Sequence, residues 1–224
     1  MSCPSAIAFF DLDRTLIAGN SAKAWVKRQV RDGRMPRRQA ARAGLWMGLY
    51  HLGVADMPRL IRGAVRGLEG DREAELAADS AAFWRDELAA TIRPGAREAI
   101  ERHRSRGDLL VVLTASSPYL GEAARGALRM DAVLSNRFEV RDGRFTGAAV
   151  EPLCFGAGKA VLAARLAARH GIGLEACSFY TDSFTDLAAM EAFGEPVAVH
   201  PDPRLRRIAR KRGWRVETWG PPPG

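Results

Sequence analysis

Ala6-Ile7-Ala8-Phe9-Phe10-Asp11-Leu12-Asp13-Arg14-Thr15-Leu16 carries an apolar run that stops abruptly at a pair of carboxylates. A short run without polar alternation is the pattern of a strand buried on both faces, as in the middle of a parallel sheet. Residues 109–113, 177–180 and 196–199 repeat it. Helical periodicity lies between them: residues 95–106 precede the second run, 118–128 follow it, 159–170 precede the third, and 186–193 follow that. Strands alternating with helices of this length predict an α/β fold with a doubly wound parallel sheet. Residues 214–219 are a candidate final strand.

Residues 18–92 read almost wholly as helix, far more chain than one right-handed crossover requires. The excess predicts an inserted α-helical cap domain, with residues 1–17 and 93–224 forming the core and 18–92 the cap. Ala18-Gly19-Asn20 and Arg93-Pro94-Gly95 are turn-prone and mark its limits. Residues 138–147 read as a β-hairpin around Asp142-Gly143, expected to decorate the core.

In an open α/β sheet, ligands bind beyond the carboxyl ends of the parallel strands. The polar residues there are Asp11, Asp13, Thr114 and Asp182, while Lys159 begins the helix ahead of the third strand. Asp11 and Asp13 lie two apart, so an extended chain points both carboxylates to the same side. Their repulsion is relieved most simply by a hard divalent cation, and Mg²⁺ suits a few protein oxygens completed by water and phosphate. Asp182 adds a further ligand to Asp11 and Asp13. A free oxygen on Asp11 can then attack phosphorus and form an acyl-phosphate. Asp13 is placed to protonate the leaving oxygen and later to deprotonate the attacking water. Lys159, the Thr114 hydroxyl and nearby backbone N–H groups such as that of Ala115 suit the phosphate. Thr15 and Asp186 are candidate supports, Asp186 by holding Lys159 or a metal-bound water.

Each of these residues has a plainer reading, as a helix cap or a solvated charge. Their conjunction in order along the chain favours the phosphate-and-metal site. Phe10-Asp11-Leu12-Asp13-Arg14-Thr15-Leu16 resembles the first signature of the haloacid dehalogenase superfamily. Leu113-Thr114-Ala115-Ser116 resembles the second, Lys159 the third, and Tyr180-Thr181-Asp182-Ser183-Phe184-Thr185-Asp186 the acidic fourth. The helical insert, Ile92-Arg93-Pro94-Gly95 and the Asp142-Gly143 hairpin are similar to the phosphoserine phosphatase-like subfamily. The resemblance implies a Rossmann-like core under a helical lid, with Asp11 as nucleophile and Asp13 as acid/base. It also implies Mg²⁺ held by Asp11, the Asp13 carbonyl and Asp182. Asn20 stands where phosphoserine phosphatases carry a glutamate for the substrate ammonium, so it is the candidate for substrate specificity. Thr114 replaces a Ser, and Thr181 a Gly.

The 224 residues are 47% apolar and 27% charged, an ordinary globular composition. A net charge of +8 favours anionic partners without choosing among them. Cys3, Cys154 and Cys177 have neither zinc nor paired-thiol spacing, and read as reduced thiols. Asp11 and Asp13 break the only apolar run near the start, so no secretory signal is expected and a cytoplasmic location follows. No stretch approaches a transmembrane span. Gly156-Ala157-Gly158-Lys159 lacks the first glycine and the Ser/Thr of a nucleotide-binding loop. The arginine-rich residues 203–214 read as a solvated helix face, with no nucleic acid expected. Residues 45–52, with Arg59, Arg62 and Arg66, read as cap packing or, alternatively, as a lipid-accepting surface.

Hydrolysis of a small phosphorylated metabolite, an amino-alcohol or amino-acid phosphate such as histidinol phosphate or phosphoserine, is the leading expectation. The alternatives are a phospholipid headgroup phosphatase acting on lysophosphatidate or phosphatidylglycerol phosphate, and a non-catalytic anion- or RNA-binding protein.

Overall fold

The structure, a computed structural model, describes residues 4–38, 41 and 56–221. Its centre is β1 (Ile7–Phe10), which pairs in parallel with β2 (Leu109–Leu113) on one side and β6 (Cys177–Thr181) on the other. Adding β3 (Ala132–Leu134), β7 (Glu195–Val199) and β8 (Arg215–Glu217) gives a six-stranded sheet in the order β3-β2-β1-β6-β7-β8. Every pairing in it is parallel. Strands β4 (Arg137–Arg141) and β5 (Arg144–Val150) form a separate antiparallel hairpin.

Alternation along β1 sends its side chains to opposite faces, and both faces are covered. Ala8 and Phe10 pack with Ala96, Ala99 and Ile100 of α4 (Pro94–Arg106) and with Leu120, Ala124 and Leu128 of α5 (Pro118–Leu128). Ile7 and Phe9 pack on the other face with Leu162, Ala163 and Leu166 of α6 (Ala157–Arg169), and with Leu205 and Ala209 of α8 (Pro203–Arg212). At about 1.5–3 kcal/mol for each fully buried large apolar side chain, Ile7, Phe9 and Phe10 fix this strand as the rigid base on which Asp11 stands. The architecture is thus a Rossmann-like α/β core with an inserted helical cap.

Between β1 and β2 lie α1 (Ser21–Arg31), α2 (Met57–Arg66) and α3 (Glu73–Phe83). The β4–β5 hairpin, expected to decorate the core, packs on Tyr119 of α5 through Phe138 and Phe145 and is also bonded to this segment. Gly70 N–H donates to Phe145 O at 2.9 Å, Glu73 N–H to Gly143 O at 3.0 Å, and Arg144 to Gly70 O at 2.7 Å. The physical reason is that a hairpin outside the main sheet still needs partners for its polar backbone, and residues 70–73 supply them.

Residues 186–193 also differ from the expected helix. A 3-10 turn at Phe184–Asp186 runs into α7 (Leu187–Met190), a single helical turn. Ala192 and Phe193 N–H then bond to Ala189 and Met190 carbonyls, tightening the chain toward Gly194. Residues 45–52 lie outside the described residues, as does Cys3. Cys154 and Cys177 are free and buried. Helix α8 buries Leu205 and Ala209 and leaves most of its arginines exposed. Among the described residues no helix is long and apolar enough to cross a membrane.

Gly158, just ahead of Lys159, has a packing explanation. A Cβ on Gly158 would lie 2.0 Å from the Leu153 carbonyl oxygen, so only glycine lets α6 begin against that backbone. Gly158→Ala is therefore expected to destabilise the fold by about 2 kcal/mol through overpacking. An unchanged melting temperature would show that the helix start shifts freely.

Candidate active site

The register of β1 with its neighbours sets the site. Phe10 pairs with Val112 on one side and Tyr180 on the other, so the strands end nearly flush and Asp11, Thr114 and Asp182 emerge at one edge. Asp11 N–H makes a last bond to Tyr180 O at 2.9 Å, and the chain then leaves the extended conformation. Arg14 takes a left-handed φ of 59°, and its N–H donates to Gly19 O at 2.9 Å. Ile17 N–H closes onto Leu12 O at 3.0 Å. This turn, and not strand alternation, positions Asp13, which corrects the picture of both carboxylates projecting from one extended strand.

Asp13 is gripped from α1. Ser21 N–H donates to Oδ1 at 2.6 Å and Ser21 Oγ to Oδ2 at 2.9 Å. Asn20 sits beside it as the N-cap of α1, its Oδ1 accepting from Lys23 N–H at 3.0 Å.

Lys159, on the first turn of α6, reaches back across the edge with only 2% of its surface exposed. Its Nζ donates to Asp11 Oδ1 and to Asp186 Oδ2, each at 2.7 Å. Thr181 Oγ1 donates to the same Asp186 oxygen at 2.7 Å, so the residue standing in place of a glycine helps to fix the lysine's partner. Asp182 is buried, with one Arg14 guanidinium nitrogen 3.9 Å away and its own carbonyl accepting from Asp202 N–H at 2.9 Å. Thr15 is fully buried, its hydroxyl without a partner among the described residues.

Thr114 begins the second loop. Its N–H donates to Leu134 O at 2.9 Å, and its hydroxyl bonds Ser116 Oγ at 3.1 Å and accepts from Ser116 N–H at 3.2 Å. Ala115 is held through its carbonyl, which accepts from Asn136 Nδ2 at 2.6 Å. Asn136 Oδ1 in turn accepts from Cys154 N–H at 2.8 Å. One buried amide therefore ties the Thr114 loop to the loop that leads into Lys159.

The electrostatics follow from crowding acids in a dry place. Burial pushes the Asp11 carboxyl up to about 7, against the pull of Lys159. Burial and the Asp11 charge push Asp182 up to about 8, with Arg14 opposing. Burial also raises Asp13, while its Ser21 bonds lower it. For Lys159, burial acts to lower the pKa, but Asp11 and Asp186 outweigh it and hold the ammonium charged. Positive charge at this edge is thus scarce relative to negative charge. Among the described residues no group of three or more His, Cys, Asp or Glu side chains is placed to hold a metal. The carboxylates of Asp11 and Asp182 lie close enough for the charge of one to act on the other. These hard oxygens fit a cation that keeps most positions for water and phosphate.

Sequence reasoning missed Ser21 and Asn136. Ser21 had a local signal, since it follows a good N-cap residue at a helix start. Asn136 had none, because its partners lie 21 and 18 residues away.

Comparison with known proteins bears on the whole arrangement. The haloacid dehalogenase-like hydrolase family matches residues 8–191. A Mycobacterium tuberculosis protein named phosphoserine phosphatase is 32% identical over 216 residues, covering 95% of this chain and 70% of its own. A Neisseria meningitidis protein named histidinol-phosphatase is 26% identical over 215 residues, covering 94% and 97%. A crystal structure of a Bordetella pertussis protein of unknown function superposes with a TM-score of 0.86 at 30% identity, over 95% of this chain and 98% of that one. Family match, relatives and fold agree: the chain belongs to the haloacid dehalogenase-like hydrolases and is a phosphatase of that family.

Proposed function

We propose that the chain hydrolyses a phosphate monoester of a small metabolite through an aspartyl-phosphate on Asp11. The substrate class is an amino-alcohol or amino-acid phosphate, histidinol phosphate ahead of phosphoserine. The observation that carries this reading is the buried Lys159 ammonium joined to both Asp11 and Asp186 at 2.7 Å. A lysine so placed leaves one Asp11 oxygen for phosphorus and offsets charge on the transferring group. The Thr114 hydroxyl and Ala115 N–H line the same edge for phosphate oxygens. Asp13 gives its proton to the departing oxygen and then takes one from the water that opens the acyl-phosphate. Mg²⁺ bound by Asp11, the Asp13 carbonyl and Asp182 supplies the positive charge that this edge lacks.

In this reading residues 18–92 form the lid and residues 1–17 and 93–224 the catalytic body. Asn20 counts against phosphoserine, because a neutral amide whose Oδ1 already accepts from Lys23 N–H pairs less well with an ammonium than a carboxylate does. The names of the Mycobacterium and Neisseria relatives support a substrate of amino-alcohol or amino-acid type. The lipid-phosphate alternative depends on residues 45–52, outside the described residues.

The test is phosphate release across a panel of metabolite phosphates, with Mg²⁺ and with the metal chelated. Release is expected only with metal, with amino-alcohol phosphates ranking above sugar phosphates and nucleotides. Undiminished turnover in chelator would sink the mechanism, and a flat ranking would sink the substrate class.

A further inference from the structure

A general acid works only if its carboxyl plane is aimed at the leaving oxygen. Two bonds from a single residue fix that plane for Asp13. Ser21 N–H takes Oδ1 at 2.6 Å and Ser21 Oγ takes Oδ2 at 2.9 Å, and Ser21 is only 3% exposed. Each carboxyl oxygen keeps a second lone-pair direction free.

The donors come from a helix start. Ser21 is the first residue of α1, and the first N–H groups of a helix have no partner within it. Asn20 caps the helix through Lys23 N–H, which leaves Ser21 N–H for Asp13. The intervening loop is drawn shut by the bond from Arg14 N–H to Gly19 O at 2.9 Å. Lys159 and Arg14 also act on Asp13 through their charge, which attracts the carboxylate without fixing its plane.

We propose that Ser21 is the positioning residue for the acid Asp13, so that seating α1 and aiming the acid are one event. This rests on the reading of Asp13 as the general acid, and it assigns the first turn of the inserted segment a part in proton transfer.

The variant that separates aim from stability is Ser21→Pro. Proline lacks the N–H and the hydroxyl, yet is tolerated at a first helical position. Asn20, at φ −108° and ψ 114°, already has the extended backbone that a residue before proline adopts. The readout is kcat/KM for phenyl phosphate against p-nitrophenyl phosphate. It reports the steps up to phosphoryl transfer, and the nitrophenolate leaves without help from an acid.

Ser21→Pro is expected to lower kcat/KM about 30-fold on phenyl phosphate but less than about threefold on p-nitrophenyl phosphate, the pattern of a lost acid. Ser21→Ala, which keeps the backbone donor, should fall between, and Ser21→Thr should restore the wild-type ratio. Asp13→Asn is the control for the underlying reading. Should Asp13→Asn split the two substrates while the Ser21 variants lose equally on both, Ser21 is only structural and the proposal is overturned. Should Asp13→Asn itself show no split, Asp13 is not the acid and both readings fall. If Ser21→Pro does not fold, the Ala and Thr pair decides by the same ratio.

Discussion

Asp11→Asn is expected to reduce turnover by at least ~10⁴-fold while leaving the protein folded, because an amide cannot form the acyl-phosphate and the remaining groups cannot replace a nucleophile. The substitution is nearly isosteric, and Asp186 still accepts from the Lys159 ammonium at 2.7 Å, so the buried lysine keeps an anionic partner. Rapid acid quench with radiolabelled substrate should trap label on the wild-type chain and none on the variant. A variant that still carried acid-stable label at wild-type rates would place the nucleophile elsewhere.

Lys159→Met is expected to cost both activity and stability. Without the ammonium, the buried Asp11 and Asp186 lose the cation that both of them contact. Breaking a buried ion pair on one side costs about 3–5 kcal/mol when the remaining charge has no escape. Here the Asp11 carboxyl can escape by taking up a proton, which gives the effect a direction in pH. Carboxyl groups with raised folded-state pKa values favour the fold below their unfolded values, near 4, and lose that favour as pH climbs through the raised values. Lys159→Met should therefore melt close to wild type at pH 5 and well below it at pH 8. Turnover should fall by about 10²–10³-fold, the usual cost of removing one preorganised electrostatic contact. A melting deficit that is the same at both pH values would mean that Lys159 does not compensate these acids.

What the sequence disclosed follows the physics of each element. The central strands were readable because a strand covered on both faces must be apolar throughout, and β1, β2 and β6 obey this with almost every residue buried. Strand β3 was not readable: Ala132–Leu134 is short, lies at the sheet edge and is only half-buried, so it carries too little pattern. Residues 186–193 have helical composition, but Asp186 is anchored to Lys159 and Thr181 and only one helical turn follows. The hairpin was legible from Asp142-Gly143, while its attachment to residues 70–73 depends on contacts that no local pattern encodes. The acidic residues at the strand ends were legible because position beyond a buried strand is itself the signal. Asn136 was hidden because it acts through other residues and carries no charge, and Ser21 offered only its place at a helix start.

The bonds between the β4–β5 hairpin and residues 70–73 bear on how substrate enters. A lid joined to its base only near residues 18 and 93 is a door on two pins. With the hairpin fastened to it, the chain crosses between the halves again on either side of β4 and β5, and the door gains a second pair of pins. Asn136 stands beside one of these crossings and bonds to Ala115 and Cys154, so the foot of the hairpin is moored to the loops that carry Thr114 and Lys159.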